Sequence, residues 1–233
     1  MLGQDWLVIP AYNPDQRLYD LNNEVRVYFP QIVVVNDGSK ADTLPIFNQL
    51  SFDNVKILTH DTNQGVGAAY KTAINYIYQH TQNNKIIGMI TADADGQHLV
   101  DDIVKVTQCL NQNPTKVIIG ARTFTKDIPL RSFIGNRSMC WIVKIVFRRD
   151  IADCQSGLRA IPYQYMRVYL ETKQNRFDFV IASLLNFFKN KIPVVSEPIK
   201  TVYIDDNKSS HFRPIKDSYE TIKVILQYWF KTV

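Results

Sequence analysis

Five short runs rich in Val and Ile, most of them closed by a polar turn, constrain this chain more than any other feature. They cover residues 6–9, 32–35, 55–58, 86–91 and 117–121. Few polar residues interrupt them, which is how strands buried on both faces read. Between them lie segments that suit helices, at residues 15–28, 43–50, 65–79 and 100–110. In the third, Ala69, Ala73, Tyr76 and Ile77 recur at three- and four-residue spacing. Alternation of this kind predicts βαβ units and a mainly parallel sheet. Ligands of such sheets bind beyond the carboxyl ends of the strands, so the polar loops after each strand are where chemistry is expected.

The pattern changes near residue 125. Residues 128–149 are amphipathic and basic, with Arg131, Arg137, Lys144, Arg148 and Arg149 set among Phe133, Trp141, Ile142, Ile145 and Phe147. Such a helix suits a membrane surface; a core-packed helix with a solvated face, or a subunit contact, would read the same way. Residues 177–188 read as another helix and residues 194–204 as extended chain. A last helix carries an apolar stripe of Tyr219, Ile222, Ile225, Leu226, Trp229 and Phe230. No repeat or linker divides the 233 residues, so one domain spanning 1–233 is expected.

Composition narrows the partners. A hydrophobic share of 45% supports a packed core and excludes global disorder. The net charge of +5 favours anionic partners: phosphates, nucleic acid or anionic lipid headgroups. The basic residues form no dense stripe and no recognised motif, so nucleic acid is not expected. Cys109, Cys140 and Cys154 are widely spaced with no CxxC pair, which fits a reducing cytoplasm rather than a disulfide framework. No signal peptide is expected at the start, and no apolar run reaches the roughly 18 residues of a membrane span.

Four loops stand out. Strand one runs into Pro10-Ala11-Tyr12-Asn13-Pro14, and strand two into Asn36-Asp37-Gly38-Ser39. A ring could stack there, or a carboxylate accept from a base or ribose, although these are also ordinary turn residues. Strand three leads to Asn63-Gln64-Gly65-Val66-Gly67, whose small residues would admit either a phosphate or a closely packed helix. Strand four ends in Ala92-Asp93-Ala94-Asp95-Gly96-Gln97-His98. Carboxylates two residues apart on an extended tip face one side. Asp93 and Asp95 could thus hold Mg²⁺ or Mn²⁺ and leave most of its shell to substrate oxygens. Asp153 could act as a general base, or cap a helix or pair with Arg148 or Arg149.

In order along the chain, VIPAYN, VVVNDGS, NQGVGAA, the DAD of TADADGQH, GAR, the Arg of IPLRSFIGN and DCQSGLRA resemble the family 2 glycosyltransferases. With YIDDNKSSHFRPIKDS near the end, they look most like the branch that transfers sugars to polyprenyl phosphates. The resemblance implies an α/β, GT-A fold: a single Rossmann-like domain with a mainly parallel central sheet flanked by helices. Residues 1–125 would bind the nucleotide-sugar and residues 126–233 the acceptor. Pro10, Ala11, Tyr12 and Asp37 would line the base pocket, and Asp93 would face the ribose or the metal. Asp95 would bind the metal at the diphosphate, with Gln97 supporting metal or sugar. Arg122 and Arg131 would meet the acceptor phosphate, Asp153 would stand near the reaction centre, and Ser210, His211 and Arg213 would close over the diphosphate.

Two departures touch nucleotide recognition. Pro14 stands where the family usually has an acid, and Asn36-Asp37 replaces paired aspartates. The expected base is uridine, with guanosine the alternative. The expected reaction is inverting, metal-dependent transfer from a nucleoside-diphosphate sugar to a polyprenyl phosphate or cell-envelope glycan. Extension of a surface polysaccharide at a sugar hydroxyl is a second reading, and a non-catalytic nucleotide-sugar-binding scaffold a third. The branch often carries membrane helices beyond the point where this chain ends. A cytoplasmic protein is expected, with peripheral contact on the inner membrane face and a homo-oligomer both left open.

Overall fold

The structure, a computed structural model, describes residues 4–81, 86–123, 130–200 and 214–230. The strands are β1 (Trp6–Ala11), β2 (Gln31–Asn36), β3 (Val55–Thr59), β4 (Gly88–Thr91), β5 (Val117–Arg122), β6 (Arg159–Pro162) and β7 (Val194–Ile199). The helices are α1 (Gln16–Val25), α2 (Leu44–Asn48), α3 (Val66–His80), α4 (Val100–Gln112), α5 (Leu130–Phe147), α6 (Met166–Glu171), α7 (Asp178–Lys189) and α8 (Pro214–Phe230). They form one seven-stranded sheet in the order β3-β2-β1-β4-β6-β5-β7. Only β6 runs antiparallel to its neighbours, β4 and β5.

The expected strands are all present, and the reason is visible in their burial. Alternate residues of β1 and β2 face opposite sides, and both sides are covered. Val8, Val33 and Val35 pack with Ala69, Ala73, Ile74 and Ile77 of α3 and with α5 to α8. Leu7, Ile9, Ile32 and Val34 pack with α1, α2 and α4 on the other face. The result is an α/β/α sandwich. Asp15 opens α1 by accepting from the Arg17 backbone N–H at 3.0 Å. The helix expected at 43–50 is shorter, a 3₁₀ turn at Ala41–Thr43 followed by α2. The extended stretch expected to reach residue 204 is described as strand only through Ile199. All three cysteines are free.

Strand β6 was not foreseen. It is four residues long, and its register places Thr91 opposite Arg159 and Gly88 opposite Pro162. A Cβ on Gly88 would lie 2.2 Å from the Ile161 carbonyl oxygen, so the two strands meet at a contact that only glycine allows. Gly88→Ala is expected to destabilise the protein by about 3 kcal/mol or more, the upper end of overpacking costs, measured by urea unfolding.

Candidate active site

The carboxyl ends of β1, β2, β4 and β5 gather at one edge of the sheet, and β6, running the other way, begins there. The loops after β1 and β2 are tied together first. Asp37 N donates to Ala11 O at 2.9 Å, Asn13 N to Ser39 Oγ at 2.9 Å, and Lys40 N to Asn13 Oδ1 at 2.8 Å. Asn36, at the position of a family aspartate, accepts from Ser39 N at 2.9 Å and so builds the turn. Pro10, Ala11 and Tyr12 lie beside it at the end of β1.

Asp37 is buried, 3% exposed, and its carboxylate is heavily used. Oδ1 accepts from Gln64 N at 2.9 Å and lies 2.7 Å from His60 Nδ1, while Oδ2 accepts from Gly65 N at 2.8 Å. His60 Nε2 in turn meets Thr72 Oγ1 of α3 at 2.8 Å. His60 escaped the sequence reading; its only signal was a histidine directly after a strand. The small residues at the start of α3 serve packing, since Gly67 N donates to Asn175 O at 2.8 Å.

The Asp93–His98 turn follows β4. His98 is buried, and its Nδ1 accepts from Asp93 N at 3.1 Å. Burial holds the His98 pKa down at about 4, against the pull of Asp95, so the ring is neutral with its proton on Nε2. Asp95 Oδ1 accepts from Gln97 N at 3.0 Å. Loss of solvent raises the pKa of both Asp93 and Asp95, and Asp93 raises Asp95 further; Arg122 and Arg159 pull Asp93 back. Two carboxylates made costly to ionise suit a divalent cation, which would favour both charged forms. The Asp93 side chain keeps 41% of its surface open for such a ligand. Among the described residues no three His, Cys, Asp or Glu converge on a metal. Arg17 of α1, also missed in the sequence, lies against Gly96 and lowers the pKa of Asp95.

The third part comes from the loop ahead of β6. Thr91 Oγ1 donates to Gly157 O at 2.6 Å and fastens this loop to β4. Arg159, 2% exposed, braces it from beneath by donating to Ser156 O at 3.0 Å, Cys154 O at 3.4 Å and Ser183 Oγ of α7 at 3.1 Å. Asp153 is fully buried and paired with Arg122, not with Arg148 or Arg149. Arg122 Nε donates to Asp153 Oδ2 at 2.6 Å and Nη2 to Oδ1 at 3.1 Å, and Gln155 N adds a bond to Oδ1 at 2.9 Å. Arg131 belongs to the first turn of α5, whose side chains lie outside the described residues, as do Ser210, His211 and Arg213 entirely.

A Cβ on Gly157 would lie 2.5 and 2.6 Å from the two Asp93 carboxylate oxygens. Those oxygens end a movable side chain, so the chain can refold around an added methyl, but Asp93 must turn away. Gly157→Ala is expected to change stability by less than about 1 kcal/mol. Any Mn²⁺ binding at Asp93 and Asp95 should weaken at least about tenfold, measured by calorimetry.

Comparison with known proteins identifies the family. The family model for Glycosyl transferase family 2 matches residues 6–172. The chain is 30% identical to a UDP-N-acetylglucosamine–dolichyl-phosphate N-acetylglucosaminyltransferase of Methanococcus voltae, over 86% of each chain. It is 23% identical to a dolichyl-phosphate beta-glucosyltransferase of Trichomonas vaginalis, over 95% of this chain and 70% of that one. Among solved structures, glucosyl-3-phosphoglycerate synthase from Mycobacterium tuberculosis, in complex with Mn²⁺, UDP-glucose and phosphoglyceric acid, superposes with a TM-score of 0.68. That match covers 98% of this chain and 80% of the other at 12% identity, a likeness of GT-A fold alone. The family match runs from β1 to the end of α6 and takes in all three parts of the site, so the chain belongs to glycosyl transferase family 2 and is a glycosyltransferase.

Proposed function

We propose that the protein transfers a sugar from a UDP-sugar to a polyprenyl phosphate of the dolichyl type, with inversion at the anomeric carbon. The observation that carries the acceptor assignment is the Arg122–Asp153 pair. A sugar hydroxyl must lose a proton as it attacks, and a general base needs a carboxylate within reach of that proton. Asp153 is fully buried, and both its oxygens are engaged by Arg122. A phosphate monoester is already anionic at neutral pH and needs orientation, not a base. Asp153 orients the Arg122 guanidinium, and Arg122 with Arg131 binds the acceptor phosphate.

The donor-side roles are proposed for the loops at the carboxyl ends of the strands. Pro10, Ala11, Tyr12 and Asp37 take the base, and Asp93 and Asp95 would hold Mg²⁺ or Mn²⁺ at the diphosphate, with Gln97 beside them. Such a cation, when bound, neutralises charge on the leaving diphosphate. Ser210, His211 and Arg213, which lie outside the described residues, would contact that group. The chain's own residues keep donor and acceptor in line, an orientation that lowers the barrier. The relatives that act with dolichyl phosphate support the lipid acceptor, and the relative that uses UDP-N-acetylglucosamine supports the uridine donor.

The lipid half of the acceptor is supported by α5. Trp141 and Ile145 are 65% and 56% exposed, and Arg137 and Lys144 are exposed on the same face at three- and four-residue spacing. On α8, Tyr219 and Phe230 are 65% and 74% exposed. Interleaved aromatic and basic residues suit an anionic membrane surface. No described helix is long and apolar enough to cross a membrane, so contact through these faces is proposed to bring the enzyme to its acceptor.

Two measurements test this. Incubation with UDP-sugar, Mn²⁺ and polyprenyl phosphate should yield a solvent-extractable product from which mild acid releases the sugar; an acid-stable product would contradict the phosphate acceptor. Replacing both Trp141 and Ile145 with Ser should reduce co-sedimentation with anionic vesicles about tenfold or more, with the folded state retained.

A further inference from the structure

We propose that His60 is the residue that sets base selectivity, by leaving the Asp37 carboxylate a single acceptor position. This rests on the reading above that Asp37 faces the base. A carboxylate has about four acceptor positions. Three are taken among the described residues: two on Oδ1, by His60 Nδ1–H and Gln64 N–H, and one on Oδ2, by Gly65 N–H. Facing a carboxylate at 2.7 Å, Nδ1 carries the ring proton. Nε2 then accepts from the Thr72 hydroxyl at 2.8 Å, so both ring nitrogens are satisfied and the ring cannot turn away.

What remains is one position on Oδ2. Uracil offers a single ring donor, N3–H, and matches it. Guanine presents N1–H and N2–H₂ side by side and needs both oxygens of a carboxylate, as bidentate readers of paired donors do. With Oδ1 saturated, one guanine donor would be desolvated with no partner, and an unmade hydrogen bond of this kind discriminates strongly. His60 is a positioning residue in this account: it touches Asp37, and Asp37 reads the base.

The test is calorimetric binding of UDP, GDP and inorganic pyrophosphate, each with Mn²⁺, to the full chain. The wild type should bind UDP at least about tenfold tighter than GDP. His60→Ala should weaken UDP about tenfold, narrow the UDP-to-GDP ratio toward one, and leave pyrophosphate unchanged. His60→Asn, whose amide N–H can replace Nδ1–H, should restore the preference; a lesion of packing alone would not be rescued this way. Thr72→Val, which frees the ring without removing it, should shift the ratio in the same direction and serves if His60→Ala does not fold. Asp37→Asn separates the two readings. If Asp37→Asn weakens UDP while His60→Ala and Thr72→Val keep the wild-type ratio, the selectivity role of His60 is overturned and the base pocket stands. If Asp37→Asn leaves UDP binding unchanged, Asp37 does not read the base and both readings fall.

Discussion

One strand running against its neighbours makes the site. In a wholly parallel sheet, the loop that leads into a strand lies at the end opposite the ligand. Strand β6 is antiparallel to β4 and β5, so the loop ahead of it arrives at their carboxyl ends. Asp153 and Gly157 therefore stand beside Arg122 and Asp93, which leave the ends of β5 and β4. The contact is close enough that Gly157 abuts the Asp93 carboxylate, and Thr91, the last residue of β4, fastens Gly157 by its hydroxyl. Buried Arg159 holds the same loop from below. Reversing or shifting β6 by one residue would put every one of these groups on the wrong face or at the wrong end.

The electrostatics of the gathered site follow from that arrangement. Four charged groups, Asp93, Asp95, Arg122 and Asp153, meet at the ends of β4 and β5; Asp153 is fully buried and the other three are half-buried. Asp153 is paired, and its buried charge is compensated by Arg122. Asp93 and Asp95 are not compensated to the same degree, and their raised pKa values record it. One carboxylate is thus committed to orienting an arginine, and two are left in a state that a divalent cation would relieve. That division suits a reaction whose nucleophile is already an anion and whose leaving group is a diphosphate.

Much of this was legible in the chain itself. The five apolar runs became strands: β1, β2, β4 and β5 are covered on both faces and need no polar alternation, while β3 lies at the sheet edge with Lys56 and Thr59 exposed. The carboxylate pair Asp93 and Asp95 and the Arg122 loop were found because each follows such a run. Strand β6 was not found: four residues, two of them Arg and Pro, carry no periodicity, and the strand exists through pairing with distant neighbours. His60 was missed for a related reason. Its role depends on Asp37 and Thr72, which are 23 and 12 residues away and meet it only in the fold. The pairing of Asp153 with Arg122 rather than Arg148 or Arg149 is likewise a product of topology, since the two lie 31 residues apart.

The central claim is that the site orients an acceptor that is already ionised. The most direct measurement compares kcat/KM for two acceptors that differ in one group: a polyprenyl phosphate and the corresponding polyprenol, in the same vesicles with the same donor and Mn²⁺. The account predicts transfer to the phosphate and none detectable to the alcohol. Equal or faster transfer to the alcohol would contradict it, because such an acceptor requires the base that Asp153, held by Arg122, is not placed to supply.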